Sequence, residues 1–259
     1  MTDLLPLLTL LLDQIESSLA VAVPVFLRIG AAMALLPAFG EQVVPLRIRL
    51  VLTLAFTMVV APVVTAAFAP DPSLSPQALV TEPLAGLAIG LGVRLFIHAL
   101  QIAGAIAANA MSLSQLFASA GAEPQPTVTS LLTVAGLALA VSGGLHLRVT
   151  EMFVLSYGPL PPAQFPDPAH LADWTLQGIR SAFSLAFSLA APFVIAAMVY
   201  NVALGAINRA MPQLMVSFVG APALTLGGLA LLALAAPTML MIWQTALTAF
   251  LTNPFGGTP

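Results

Sequence analysis

No cysteine and no lysine occur among the 259 residues, and charged residues of every kind make up only 7% of them. Without a thiol there is no disulfide, no thiolate nucleophile and no cysteine-based redox chemistry. Soluble domains carry roughly 25% charged residues, so a surface this poor in charge excludes a water-soluble monomer. Basic charge is scarce as well. The net charge is −3 and the isoelectric point about 5.4, which leaves no basic footprint for nucleic acid. Disorder is excluded by what is abundant, since 59% of the residues are hydrophobic and the mean hydropathy is +1.03. An integral membrane protein is the class that remains.

The apolar runs support this. A spanning helix takes about 20 apolar residues. Leu50–Pro70, Leu95–Ala122, Pro124–Leu147, Ser181–Asn208 and Ala210–Pro259 contain no Asp, Glu, Lys or Arg. The period-2 alternation of outer-membrane strands is missing and Leu and Ala dominate, which predicts an all-α fold. About six long helices are expected in a single membrane domain over 1–259, kinked by Pro and Gly and folded as bent hairpins. They fall near 17–39, 48–68, 79–110, 127–147 and 175–205, with a sixth helix or a helical hairpin over 213–251. The polar connections are Gly40–Arg49, Pro70–Glu82, Gly121–Pro126, Leu147–Trp174 and Asn208–Gln213. Asp3 stands where a secretory signal would carry positive charge, so a cleaved leader is not expected.

Catalytic and metal chemistry find little to work with. His98, His146 and His170 have no second ligand at metal-like spacing, and no Gly-x-Ser-x-Gly or phosphate-binding loop is present. Neither an enzyme nor a cofactor or metal site is expected. The informative polar residues are arginines inside apolar segments: Arg28 in the first helix, Arg94 in the third, and Arg209 between two charge-free runs. A charge at the bilayer centre costs from about 3 to over 10 kcal/mol, so such a residue faces protein or water. A structural ion pair or carbonyl clamp, a transport pathway, and snorkelling at a helix end are the alternatives. Acids lie in the connections or near segment ends, as at Glu41, Asp71, Glu82, Glu123, Glu151, Asp167 and Asp173. That pattern favours a conduit or scaffold over an ion-coupled transporter. A small-molecule or ion channel or transporter, working alone or as a homo-oligomer, is the alternative function.

One stretch is neither a span nor an ordinary loop. Met111–Ala122 is small, weakly polar and uncharged, and Glu123-Pro-Gln-Pro126 stops it. Its Met111, Leu113, Leu116 and Phe117 suit a soft, adaptable constriction, or a plain turn.

Taken in order, several groups of residues resemble the FliR family of flagellar export-gate proteins and its type III secretion counterparts. They are Phe26-Leu-Arg28, Leu36-Pro37-Ala-Phe39-Gly40, Val44-Pro45 with Arg47 and Arg49, and Pro83-Leu-Ala-Gly86 with Gly90-Leu-Gly92 and Ala103-Gly104. Gly143-Gly144-Leu-His146, Ser156-Tyr157 and Leu160-Pro161 continue the pattern. The most specific group is Asn201…Leu204-Gly205…Asn208-Arg209-Ala-Met-Pro212-Gln213, closing with Phe218 and Pro222. Two positions depart from the family: Met215-Val216-Ser217-Phe218 replaces an Asn-Val-Phe, and Glu123-Pro124 an Asp-Pro.

The resemblance implies a non-enzymatic subunit of a hetero-oligomeric helical assembly in the bacterial inner membrane, at the flagellar basal body. FliP-like and FliQ-like subunits would be its neighbours, FlhB-like and FlhA-like proteins further partners, membrane lipid its surroundings and unfolded flagellar proteins the cargo. It places a plug at Met111–Gly121, with Met111, Leu113, Leu116, Phe117 and Gly121 as constriction residues. It also casts Arg28, Arg94, Arg209 and Gln213 as intersubunit or intramembrane pairing residues.

Overall fold

A computed structural model describes residues 4–68, 75–111, 127–211 and 216–256. Among these residues every long element is a helix: α1 Leu4–Leu35, α2 Leu46–Val64 with a 3-10 turn Thr65–Ala67, α3 Ala78–Ala110, α4 Thr127–Ser142, α5 Leu145–Leu155, α6 Pro168–Ala210 and α7 Val216–Thr252. Five helices are long and apolar enough to cross a membrane, and α4 with α5 makes a sixth if that bent pair is one span. The chain is an all-α, multi-pass membrane protein.

The expected segments are present, with changes of boundary. Helix α1 begins at Leu4 and ends at Leu35, not near residue 39. Leu36 N–H and Gly40 N–H still bond back to Ala32 and Leu36 carbonyls at 2.9 and 2.7 Å, but Ala38 takes a left-handed φ of 67° and turns the chain. The helix expected over 127–147 stops at Ser142 because Gly144 adopts φ +82°, and α5 leaves at 72° to α4. That α5 occupies part of the expected Leu147–Trp174 connection. Helix α6 starts earlier than expected because Asp167 caps it: Oδ1 accepts the Ala169 N–H at 2.9 Å, and Pro168 takes the first helical position, where its missing N–H costs nothing. Over 216–252 the chain forms one helix and not a hairpin. Pro24, Pro62, Pro83 and Pro192 stand inside continuous helices, while the sharp break at 143–144 falls at glycines.

The chain packs as two compact units. The first comprises Met1–Arg94, Gly144–Gln177 and Phe250–Pro259. Its core joins Val25, Ile29, Ala32 and Met33 of α1, Ile89 and Val93 of α3, and Val149, Met152 and Phe153 of α5, all nearly inaccessible. Phe39, Phe56 and Phe153 form an edge-to-face chain with centroids 5.9 and 6.4 Å apart. Buried Thr53 and Thr57 satisfy their hydroxyls on the Arg49 and Thr53 carbonyls, both at 2.8 Å. Trp174 holds the C-terminal segment by donating to the Pro254 carbonyl at 2.8 Å and stacking on Phe255.

The second unit comprises Leu95–Gly143 and Gly178–Ala249. Small residues bring its helices close: Ala99 of α3 packs with Ala182 and Ala186 of α6, as expected where lipid gives no hydrophobic drive and close approach supplies the attraction. Trp243 is fully buried, and its indole N–H donates to the Phe96 carbonyl at 2.7 Å.

Candidate functional site

The built polar site lies in the first unit and centres on Arg28. Helix α1 places this guanidinium in the core, 1% exposed. Its Nε donates to Glu82 Oε2 at 2.7 Å, one Nη to Ser156 Oγ at 2.9 Å and the other to the Leu160 carbonyl at 2.8 Å. The remaining Glu82 oxygen accepts the Ala163 N–H at 3.0 Å. Ser156 Oγ in turn donates to the Phe153 carbonyl at 2.7 Å. The flat face of the guanidinium lies over the Tyr157 ring, 3.7 Å from its centroid. Burial holds the Tyr157 phenol above its ordinary pKa range, against the opposing pull of the Arg28 guanidinium, and its hydroxyl has no partner among the described residues.

One side chain therefore ties α1, α3, the end of α5 and the loop after it. Only arginine presents a planar fork able to serve a carboxylate, a hydroxyl and a carbonyl together. Close backbone approach makes this geometry possible. A Cβ at Gly86 would fall on the Arg28 carbonyl, and one at Gly90 would lie 2.7 Å from the Ala32 carbonyl oxygen. Glycines four residues apart on α3 thus let it ride directly on α1.

Glu82 is the residue that sequence reasoning misplaced. Assigned to the end of a polar connection, it is the fifth residue of α3 and is fully buried. The available signal was the shortage of acids: an arginine inside an apolar run needs a carboxylate, and few exist to choose from. Ser156-Tyr157 and Leu160-Pro161 stood out in the sequence, but nothing there connected them to Arg28.

Arg94 is partly exposed and donates to Glu41 Oε1 at 3.0 Å. Arg49 reaches the Glu41 carbonyl at 3.1 Å, so two arginines pin the α1–α2 loop through one residue. Arg209 is exposed in the last turn of α6, where a cation complements the helix dipole. Met111 is buried, 2% exposed, in the second unit. Leu113, Leu116, Phe117, Gly121 and Gln213 lie outside the described residues. Arg28 and Arg94 belong to the first unit, Met111 and Arg209 to the second.

The second unit also carries an open apolar groove. Ile106 and Ala110 of α3 and Val194, Met198 and Val202 of α6 line it, with the Asn201 amide as its polar group. No group of three or more His, Asp or Glu able to hold a metal occurs among the described residues.

The profile of the bacterial export proteins, family 1, matches residues 19–250. The chain belongs to that family. The FliR flagellar biosynthetic protein of Caulobacter vibrioides is 33% identical over 228 residues, which covers 86% of this chain and 91% of that protein. The FliR protein of Escherichia coli K12 is 29% identical over 220 residues, 82% of each chain. That of Pectobacterium carotovorum is 28% identical over 206 residues, 78% of this chain and 79% of the relative. The resemblance first seen in scattered motifs therefore extends along nearly the whole export-family chain. Some of its motif residues also meet in space: Ser156, Tyr157 and Leu160 at the Arg28 guanidinium, and Gly86 at the helix crossing beside it.

Proposed function

We propose that this chain is a non-enzymatic subunit of the flagellar type III protein export gate, in the bacterial inner membrane at the flagellar basal body. With FliP-like and FliQ-like subunits it forms the channel and the plug through which unfolded flagellar proteins pass. FlhB-like and FlhA-like proteins act beside it. Similarity to FliR proteins along nearly its full length carries this proposal.

The physical properties of the helices support it. Helix α7 has 37 residues, about 55 Å at 1.5 Å per residue, whereas a hydrocarbon core is about 30 Å thick. Its most apolar window is only 17% buried within the chain. Leu226, Leu229, Leu234, Met241 and Ile242 are exposed along it. A bilayer cannot cover so long an apolar helix, and neighbouring helices can. A conduit for unfolded chains must hold no sequence tightly, which suits the uncharged Met111–Gly121 segment as the plug. Arg28 serves intramembrane pairing inside the chain, while the exposed Arg209, with Gln213, is assigned to a neighbouring subunit.

The test is to co-express the tagged chain with its FliP-like and FliQ-like neighbours, extract gently and record native mass. A heteromeric particle far heavier than 26.7 kDa and holding one copy of this chain is expected. A monomer or homo-oligomer that ignores those neighbours would overturn the proposal in favour of a solute channel or transporter. In the same preparation Arg209→Leu is expected to reduce co-purification of the neighbours severalfold while the chain's own expression holds, consistent with truncating one partner of an interfacial charge pair. Unchanged co-purification would remove Arg209 from the interface.

A further inference from the structure

The described residues of the second unit include no acid. Their charges are Arg180 and Arg209, both cationic and both exposed, so Arg209 finds no counter-ion among them. The helix that carries Arg209 also walls the apolar groove, which is about 680 Å³ in volume. Ile106 and Ala110 of α3 form one side, Val194 and Met198 of α6 the other, and the exposed Asn201 amide is its polar group. Groove and cation lie in line. From Val194 the steps to Met198, Asn201, Gly205 and Arg209 are four, three, four and four residues, which keeps all five on one face of α6. Between the amide and the cation the helix surface is bare, since a Cβ at Gly205 would meet nothing within 4 Å. Helical side chains lean toward the N-terminus of their helix, so Arg209 overhangs that bare turn.

The order along this face is apolar wall, amide, open space, cation. At about 1.5 Å per residue, Asn201 stands about 12 Å and Val194 about 22 Å from Arg209 along the axis. One leaflet with its headgroups is about 20–22 Å thick, half of a bilayer's 40–45 Å. The face thus has the length and the polarity order of a single phospholipid.

We propose that this face binds an anionic phospholipid: an acyl chain lies in the groove between α3 and α6, the ester region meets the Asn201 amide, and the phosphate sits over Gly205 against Arg209. The site needs only the membrane class of the chain, so it stands or falls apart from the export-gate reading. A guanidinium has five N–H donors, and a phosphate can share Arg209 with the neighbouring subunit to which it is assigned above.

The test reconstitutes the complete chain in phosphatidylcholine vesicles with a trace of photoreactive lipid, its carbene precursor near the end of one acyl chain. Phosphatidylglycerol and phosphatidylcholine versions of the probe are compared, and adducts are mapped by peptide mass spectrometry. The phosphatidylglycerol probe is expected to label residues 106–110 and 194–202 about fivefold more than the phosphatidylcholine probe, the preference one arginine gives an anionic lipid. The exposed α7 surface at Leu229 and Leu234 should show no preference. Arg209→Leu should abolish the preference at the groove, and Arg209→Lys should keep it. Gly205→Leu, which fills the bare turn, should lower groove labelling severalfold and leave α7 labelling unchanged. Equal groove labelling by the two probes on the wild-type chain would overturn the proposal, because the groove would then be ordinary lipid-facing surface. A preference that survives Arg209→Leu would also sink it. In the particle assembled with the neighbouring subunits the groove labelling is expected to persist; its loss there would make a neighbouring helix the occupant and refute the lipid site.

Discussion

Glu82→Leu is expected to destabilise the protein by about 3–5 kcal/mol, the cost of leaving one member of a buried ion pair without its partner. The carboxylate is the counter-charge of Arg28 at 2.7 Å, with both groups essentially inaccessible. Its loss leaves a guanidinium in the core and orphans the Ala163 N–H. Unfolding of the purified chain in detergent, followed by circular dichroism, should show a midpoint lowered by about 10 °C, taking the shift per kcal/mol typical of domains this size. Arg28→Leu alone should be comparably damaging. The double substitution should be milder than either, because a buried pair exchanged for apolar groups is often neutral. It should not reach wild type, since the Ala163 N–H and the Leu160 carbonyl still lose their partners, each at a cost of about 1–3 kcal/mol. Two single variants as stable as wild type would show that the pair contributes nothing.

Gly86→Ala should do comparable harm by a different route. One methyl there lands on the Arg28 carbonyl and 3.0 Å from Ala31 Cβ, so α3 must move off α1. Overpacking typically costs about 1–3 kcal/mol and occasionally more. The crossing also sets the Arg28–Glu82 distance, which adds to the loss. Against this, Ala in a helix interior gains up to about 1 kcal/mol over Gly. Gly205→Ala measures that gain by itself, because nothing lies within 4 Å of its added carbon. The expected result is a clear loss at 86 and no loss at 205, in the same unfolding assay. Combining Gly86→Ala with Glu82→Leu should cost less than the two separately, since both break one contact. Full additivity would mean that the glycine and the ion pair act independently.

These effects show where the sequence could be read and where it could not. The long helices were legible because each contains an apolar, charge-poor run far longer than a buried strand, a property that survives any tertiary arrangement. Boundaries were less so. The Asp167-Pro168 cap was a local signal that went unused, whereas the turn at Ala38 is a left-handed residue with no glycine to mark it. Gly143-Gly144 was seen as a motif, but the 72° break it makes depends on Gly144 taking a positive φ, which composition does not announce. Arg28 was recognisable as a residue in need of compensation. Its partners were not, because they lie 54, 128 and 132 residues away and an apolar pattern does not rank acids by distance.

By itself, then, the sequence determined the membrane class, the helical architecture and the export family, because all three follow from apolar length, scarcity of charge and the order of short motifs. Tertiary structure alone decided that Glu82 is a core residue paired with Arg28 and that Gly86 and Gly90 exist to let α3 touch α1. It alone also separated Gly228, which Met111 fills, from Gly227, which faces open space. The physical reason is the same in each case. Burial and charge content are sums over a segment and can be read along the chain, whereas a hydrogen bond or a steric contact is a meeting of two atoms that only the folded path brings together.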